Sequence, residues 1–164
     1  MPKRFGTVPP EVPVNSSLDG LAPKVRGAAL RIVARMQEQG FAVRIFETLR
    51  TAERQSFLYG FGRDYDDGRG KVTKVASADD GWHFYGLAVD FVEDDKDPWT
   101  ASQAFWRALG EAAEDEGMTW GGRWKFLDVP HTQFGKCKVS PSDHARKLYA
   151  AGGKEAVWRA CGAL

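Results

Sequence analysis

The run Leu87-Ala88-Val89-Asp90-Phe91-Val92 sets one carboxylate among five apolar side chains. A short apolar stretch rich in β-branched and aromatic residues reads as a buried strand, and a charge taken into a protein interior is costly unless something compensates it. Whatever fold the chain adopts must therefore supply Asp90 with a partner. A metal ion is one candidate, and suitable co-ligands lie nearby. His83, one of three histidines, precedes Asp90 in the block that starts at Gly81, and His131 follows in the block Phe126 to Phe134. Imidazole and carboxylate together suit zinc. Asp128, three residues before His131, brings a further acid close to the same place. Taken singly, His83 would be a hydrogen-bonded imidazole and Asp90 half of a buried salt bridge. The two blocks taken together favour a metal site.

In their order and spacing, His83-x6-Asp90 and Asp128-x-x-His131 resemble the zinc peptidases that cut bacterial cell-wall peptides. That family holds D-alanyl-D-alanine carboxypeptidases and the L-alanyl-D-glutamate endopeptidases found among phage endolysins. Its pattern is roughly Ser-x-His-x-x-Gly-x-Ala-x-Asp, then an acid and a His in a later strand. His83, Gly86, Ala88, Asp90, Asp128 and His131 match, while Gly81 stands where Ser is usual. The likeness reaches upstream to the block Glu47 to Gln55, so it covers about residues 21–134.

The resemblance implies an α+β fold in which a small antiparallel sheet carries the metal site and helices pack against it, as in the hedgehog and D-Ala-D-Ala peptidase folds. It implies one Zn2+ per chain on His83, Asp90 and His131, with the fourth position left to water. Asp128 would be the general base and would return the proton to the leaving amine. Arg50 sits at a strand-to-helix corner and by spacing alone reads as a surface salt bridge; the resemblance makes it the holder of the substrate carbonyl oxygen. The implied partner is the peptidoglycan stem peptide. Trp82, Tyr85, Trp120, Trp124 and Gln55 are the expected substrate-facing side chains, although the tryptophans could equally pack the core and Arg54 and Gln55 could be structural.

Other readings of the site are a D-Ala-D-Ala carboxypeptidase and a non-catalytic, zinc-stabilised wall-binding module. A carboxypeptidase must accept a free carboxylate, which Asp79 and Asp80 beside the first ligand would repel. Cleavage of the L-Ala–D-Glu bond is therefore expected. A structural metal would need neither Asp128 nor Arg50.

Size and composition narrow the class. A chain of 164 residues, 43% hydrophobic and 27% charged, fits one domain with a real core. We expect a single catalytic domain over residues 1–164, an extended Pro-rich arm up to residue 17, and no separate wall-binding domain. The net charge of +1 argues against nucleic-acid binding through bulk charge. No stretch approaches the roughly 20 apolar residues of a membrane helix, and no apolar region follows the basic opening residues as in a secretory signal. A monomer held in the host cytoplasm until the membrane opens, then acting on the wall, is the expected setting. In such a chain Cys137 and Cys161 are expected as free thiols.

The remaining elements follow from periodicity. Leu21, Val25, Ala28, Ala29, Ile32, Val33 and Met36 predict a helix over 21–39, capped by Ser17 or Asp19 and stopped by Gly40. Residues 41–48 predict a strand, Thr51 the cap of a helix over 52–59, and residues 71–75 a second strand. Residues 60–70 read as a solvated polar loop. A helix from Thr100 or Ser102 to Glu116, with a solvated acidic face, is stopped by Gly117. Residues 120–124 read as a loop, 126–134 as an edge or irregular strand because of Pro130, and the tail as two short helices around Gly152 and Gly153. His144 reads as a surface residue.

Overall fold

In the computed structural model, which describes residues 4–164, the first helix, α1 (Pro23–Glu38), follows the apolar stripe closely. Val25, Ala28, Ala29, Ile32 and Met36 are all buried on one face, and Gly40 at φ +85° lets the chain leave the helix. Its start differs from expectation. Ala22 occupies the cap position with no side-chain bond, and Pro23 opens the first turn, where its missing N–H costs nothing. Ser17 instead accepts from the Asp19 N–H in a local turn.

Strand β1 (Val43–Glu47) leads to α2 (Ala52–Gly60), whose cap is Thr51, accepting from the Arg54 N–H. A short 3-10 turn, Trp82–Tyr85, feeds β2 (Ala88–Glu93). Between them Gly86 adopts φ +68°, and a β-carbon there would lie 2.2 Å from the Gly20 carbonyl oxygen. Helix α3 (Gln103–Asp115) is capped by Ser102 and packs on α1. Its acids Glu111, Glu114 and Asp115 are exposed as expected, while Glu116 is drawn in by Arg31 and Arg35 of α1. Strands β3 (Met118–Trp120) and β4 (His131–Phe134) follow. The final helix, α4 (Asp143–Cys161), breaks at Gly152 and Gly153, giving the two helical pieces expected. His144 is exposed on it.

The sheet is antiparallel in the order β1-β2-β4-β3. Strand β4 is thus interior rather than at an edge. Pro130 does not disturb it because it stands just before the ladder, offering only its carbonyl to the Phe91 N–H at 2.9 Å. The edges are β1 and β3, the latter a strand that the loop reading of residues 120–124 did not foresee. Phe126 and Leu127, expected in a strand, lie exposed in the preceding loop. Residues 71–75 form no strand either. Their carbonyls are taken by side chains instead, Thr73 by Arg63 and Val75 by Gln55. The arm contributes too: Asn15 accepts from the Thr48 N–H, and Val12 from Arg54.

Candidate metal centre

Ladder register brings the ligands together. Asp90 of β2 is the Cα partner of His131 in β4, and the 3-10 turn folds His83 back over the same spot. One donor atom from each of His83, Asp90 and His131 lies within 4.8 Å of the others. His83 Nε2 and His131 Nδ1 each stand 3.1 Å from Asp90 Oδ1.

The outward-facing ring nitrogens decide what the inner ones can do. His83 Nδ1 lies 2.7 Å from the Thr48 carbonyl oxygen, which can only accept, so this nitrogen donates its proton there. His131 Nε2 lies 3.0 Å from Gln133 Oε1. The Gln133 amide cannot face the other way, because its Nε2 donates to the Lys138 carbonyl at 2.8 Å. In the neutral rings His83 Nε2 and His131 Nδ1 are therefore lone pairs, and both point at a carboxylate oxygen. Three acceptors converging in a buried place could hold a metal ion, and outer partners that fix ring tautomers are what metal-ligating histidines use. The residues present fit zinc.

Without a metal, a protonated His131 ring supplies the balancing charge. Burial pushes the Asp90 carboxyl up, but the two imidazoles outweigh that and hold it well below the usual range. Burial lowers the His131 imidazole, and the Asp90 carboxylate more than restores it, leaving it above its ordinary value. Asp128 stands at the rim, where solvent reaches it. The crowded mouth and the charge of Asp90 nonetheless raise its carboxyl above the ordinary value. Its placement depends on Gly121, which donates no side chain and approaches closely: a β-carbon there would lie 2.4 Å from the Asp128 carbonyl oxygen.

Arg50 is held rather than free. Its guanidinium donates to Glu47 Oε2 at 2.7 Å and Gln55 Oε1 at 3.1 Å and lies 3.5 Å from Asp90 Oδ2, while its buried Nε has no partner. Glu47, to which the sequence reading assigned no role, is the hub: it also accepts from Arg54 Nε at 2.6 Å. Burial raises the Glu47 carboxyl, but Arg50 in particular outweighs this and keeps it ionised. Gln133, the other unforeseen participant, carries a signal only in hindsight, standing two residues after His131 on the same strand face.

The expected substrate-facing residues divide. Trp124 stays at the site, its ring 5.3 Å from that of His131. Tyr85, Trp82 and Trp120 are buried, with their polar tips satisfied by the carbonyls of Asp79, Lys138 and Val129. An aromatic whose tip finds a backbone acceptor packs as core, which is the physical reason they leave the groove. Gln55 is also buried, with its amide committed to Arg50 and the Val75 carbonyl. Asp79 and Asp80 both pair with Arg146 of α4, so the repulsion of a carboxylate expected from them is largely neutralised.

Comparisons with known proteins agree with this geometry. The D-alanyl-D-alanine carboxypeptidase family matches residues 75–134, which span all three ligands and Asp128. CwlK of Bacillus subtilis (strain 168), a peptidoglycan L-alanyl-D-glutamate endopeptidase, is 32% identical over 134 residues, covering 75% of this chain and 77% of that protein. The chain belongs to this peptidase family. A second relative, the L-alanyl-D-glutamate peptidase of Listeria phage A118, is 28% identical over 73% of the chain, which spans only 40% of the phage protein. The fold is shared with the vancomycin-resistance D,D-pentapeptidase VanY, whose crystal structure is a complex with Zn(II) (TM-score 0.53, 15% identity, 90% of this chain and 89% of that one).

Proposed function

We propose that the chain is a zinc-dependent peptidoglycan endopeptidase that cuts the L-Ala–D-Glu bond of the stem peptide. The observation that carries the zinc site is the convergence of two imidazole lone pairs on Asp90 Oδ1. His83 Nε2, His131 Nδ1 and Asp90 would hold one zinc per chain. When bound there, zinc supplies Lewis acidity and brings the pKa of water toward neutrality.

The chain's own residues do the rest. Asp128, with its raised carboxyl, accepts the proton of the attacking water and returns it to the departing amine. Arg50 keeps positive charge beside the oxygen that becomes negative, held in register by Glu47 and Gln55. Trp124, half-buried against His131, is the groove wall that survives from the expected aromatic set. The choice of bond draws support from CwlK and the phage peptidase rather than from Asp79 and Asp80. The phage relative also favours a role in host lysis. Among the described residues no helix is long and apolar enough to cross a membrane. We take the active form to be a monomer and the domain to be catalytic throughout.

Digestion of intact purified wall, followed by mass spectrometry, tests the reading. New D-glutamate amino termini are expected, and a chelator should abolish their formation. Release of single D-alanine without chain cleavage would favour the carboxypeptidase instead, and no cleavage by zinc-loaded protein would favour the non-catalytic module.

A further inference from the structure

Two loops meet beside the metal centre, and each is pinned by the rest of the fold. The loop from Gly121 to Asp128 closes on the Gly121 carbonyl, which accepts from the Trp124 N–H at 3.2 Å and from the Asp128 N–H at 3.1 Å. Its tip leaves Phe126 67% and Leu127 72% exposed, immediately before Asp128. The other loop forms no strand, yet it is fixed on both sides of Lys74. The Thr73 carbonyl accepts from Arg63 at 3.0 Å, and the Val75 carbonyl from Gln55 Nε2 at 2.6 Å. Gln55 in turn holds Arg50, which ties this loop to the Arg50 side of the centre. Lys74 Nζ reaches the first loop and lies 3.4 Å from the centre of the Phe126 ring. One contact therefore joins the Arg50 side to the Asp128 side.

Lys74 is also an uncommitted charge. Among the described residues no carboxylate pairs with it, whereas the Arg50 guanidinium is engaged by Glu47, Gln55 and Asp90. A ring face attracts an ammonium without using up its N–H groups, so those turned away from the ring stay available to an acceptor.

We propose that Lys74, seated on Phe126, is a specificity-determining residue that binds the free carboxylate of the substrate residue on the departing-amine side of the cut bond. This rests on the endopeptidase reading, in which the departing amine belongs to D-Glu and receives its proton from Asp128. Glutamate has two carboxyl groups. One continues the stem, and the other stays free within a few bonds of that amine. This anion enters a place that already holds the carboxylates of Asp90 and Asp128, so it needs a cation of its own. Phe126 shares its loop with Asp128, and a cation on its ring therefore stands on the side of the leaving group. A bound peptide would also cover the exposed apolar tip, removing it from water. An amide in place of the carboxylate would gain less, because a hydrogen bond between two charged groups is roughly twice as strong as one between neutral groups.

Two synthetic stem peptides test this, one with the free D-Glu carboxyl and one with that carboxyl amidated. Zinc-loaded native protein is expected to cut the first with about tenfold higher kcat/KM, the difference lying mainly in KM. Lys74→Gln should lose the preference by slowing on the carboxylate form alone, and Lys74→Arg should keep it. Phe126→Leu, which removes the ring face but not the apolar contact, should lessen it. A native protein that cuts both peptides alike would overturn the proposal, as would a Lys74→Gln variant that keeps the preference or slows equally on both. So would a preference that Lys125→Gln removes and Lys74→Gln does not. NMR titration of zinc-free protein with the same peptides repeats the comparison without hydrolysis. Tighter binding of the carboxylate form through Lys74, in a chain that cuts neither peptide, upholds the subsite and removes the endopeptidase reading. Equal cutting of both at the L-Ala–D-Glu bond does the reverse.

Discussion

Glu47 and Asp90 face each other as ladder partners across β1 and β2, yet the protein treats the two carboxylates in opposite ways. Glu47 is 1% exposed and carries two arginines, Arg50 and Arg54, at 2.7 and 2.6 Å. Its counter-charge is complete within the chain. Asp90 has two ring nitrogens at 3.1 Å and only a distant Arg50 at 3.5 Å. With both neutral rings turning their N–H groups outward, its charge is open to a metal ion. The contrast separates a closed ion-pair network, which stabilises, from an open acceptor cluster, which binds.

Removing each carboxylate should break the pair apart most visibly. Asp90→Ala is expected to abolish zinc binding and hydrolysis while the chain stays folded. Glu47→Ala strands two buried guanidinium groups and should destabilise the fold by roughly 3–5 kcal/mol, with zinc lost only in proportion to unfolding. Elemental analysis beside urea denaturation distinguishes them; equal stability losses would dissolve the comparison.

Within the open cluster, Asp128→Asn keeps shape and zinc but cannot take a proton. Its kcat should fall about a hundredfold. A near-normal rate in a zinc-replete variant would move the base elsewhere. Gln133→Ala should act on the metal instead, weakening zinc by on the order of tenfold or more through loss of the His131 orientation. Competition with a chromogenic chelator measures this, and unaltered affinity would mean that the strand alone sets the ring.

The smallest effect is a matter of sign. In zinc-free protein His131 is held above its ordinary 6.5, so it stabilises the fold at lower pH and that contribution is lost as pH rises through its folded value. Asp90, held well below its ordinary value, contributes above about pH 4 and loses its contribution as pH falls through its folded value. Zinc binding requires the neutral ring, so zinc affinity should rise across the interval in which zinc-free stability falls. Tm against pH, with and without chelator, should therefore give opposite slopes above roughly pH 6.5. Parallel slopes would remove His131 from the ligand set.

Much of this was legible in the residue order because it depends on local chemistry. Caps at Thr51 and Ser102, the apolar stripe of α1 and the break at Gly152 and Gly153 are short-range, and they stand where the pattern puts them. The ligand types and their spacing are equally local. What covers a face is not. Tyr85 and Trp120 are aromatic whether they line a groove or fill a core, and only the carbonyls of Asp79 and Val129 decided for the core. Pro130 argues against an interior strand by residue type alone, and only the ladder's start one residue later, at His131, makes it harmless.

Residues 21–134, by kind and order, already marked an aspartate and two histidines as a set suited to a metal ion. Tertiary structure alone decided which nitrogen of each ring faces Asp90, that Arg50 and Arg54 bond Glu47 while Arg50 stays more distant from Asp90, and that Arg146 pairs with Asp79 and Asp80. The physical reason is range. Propensity, capping and hydrophobic period act within a few residues, whereas a tautomer or a buried charge is settled by whichever donor the fold brings across from a distant segment.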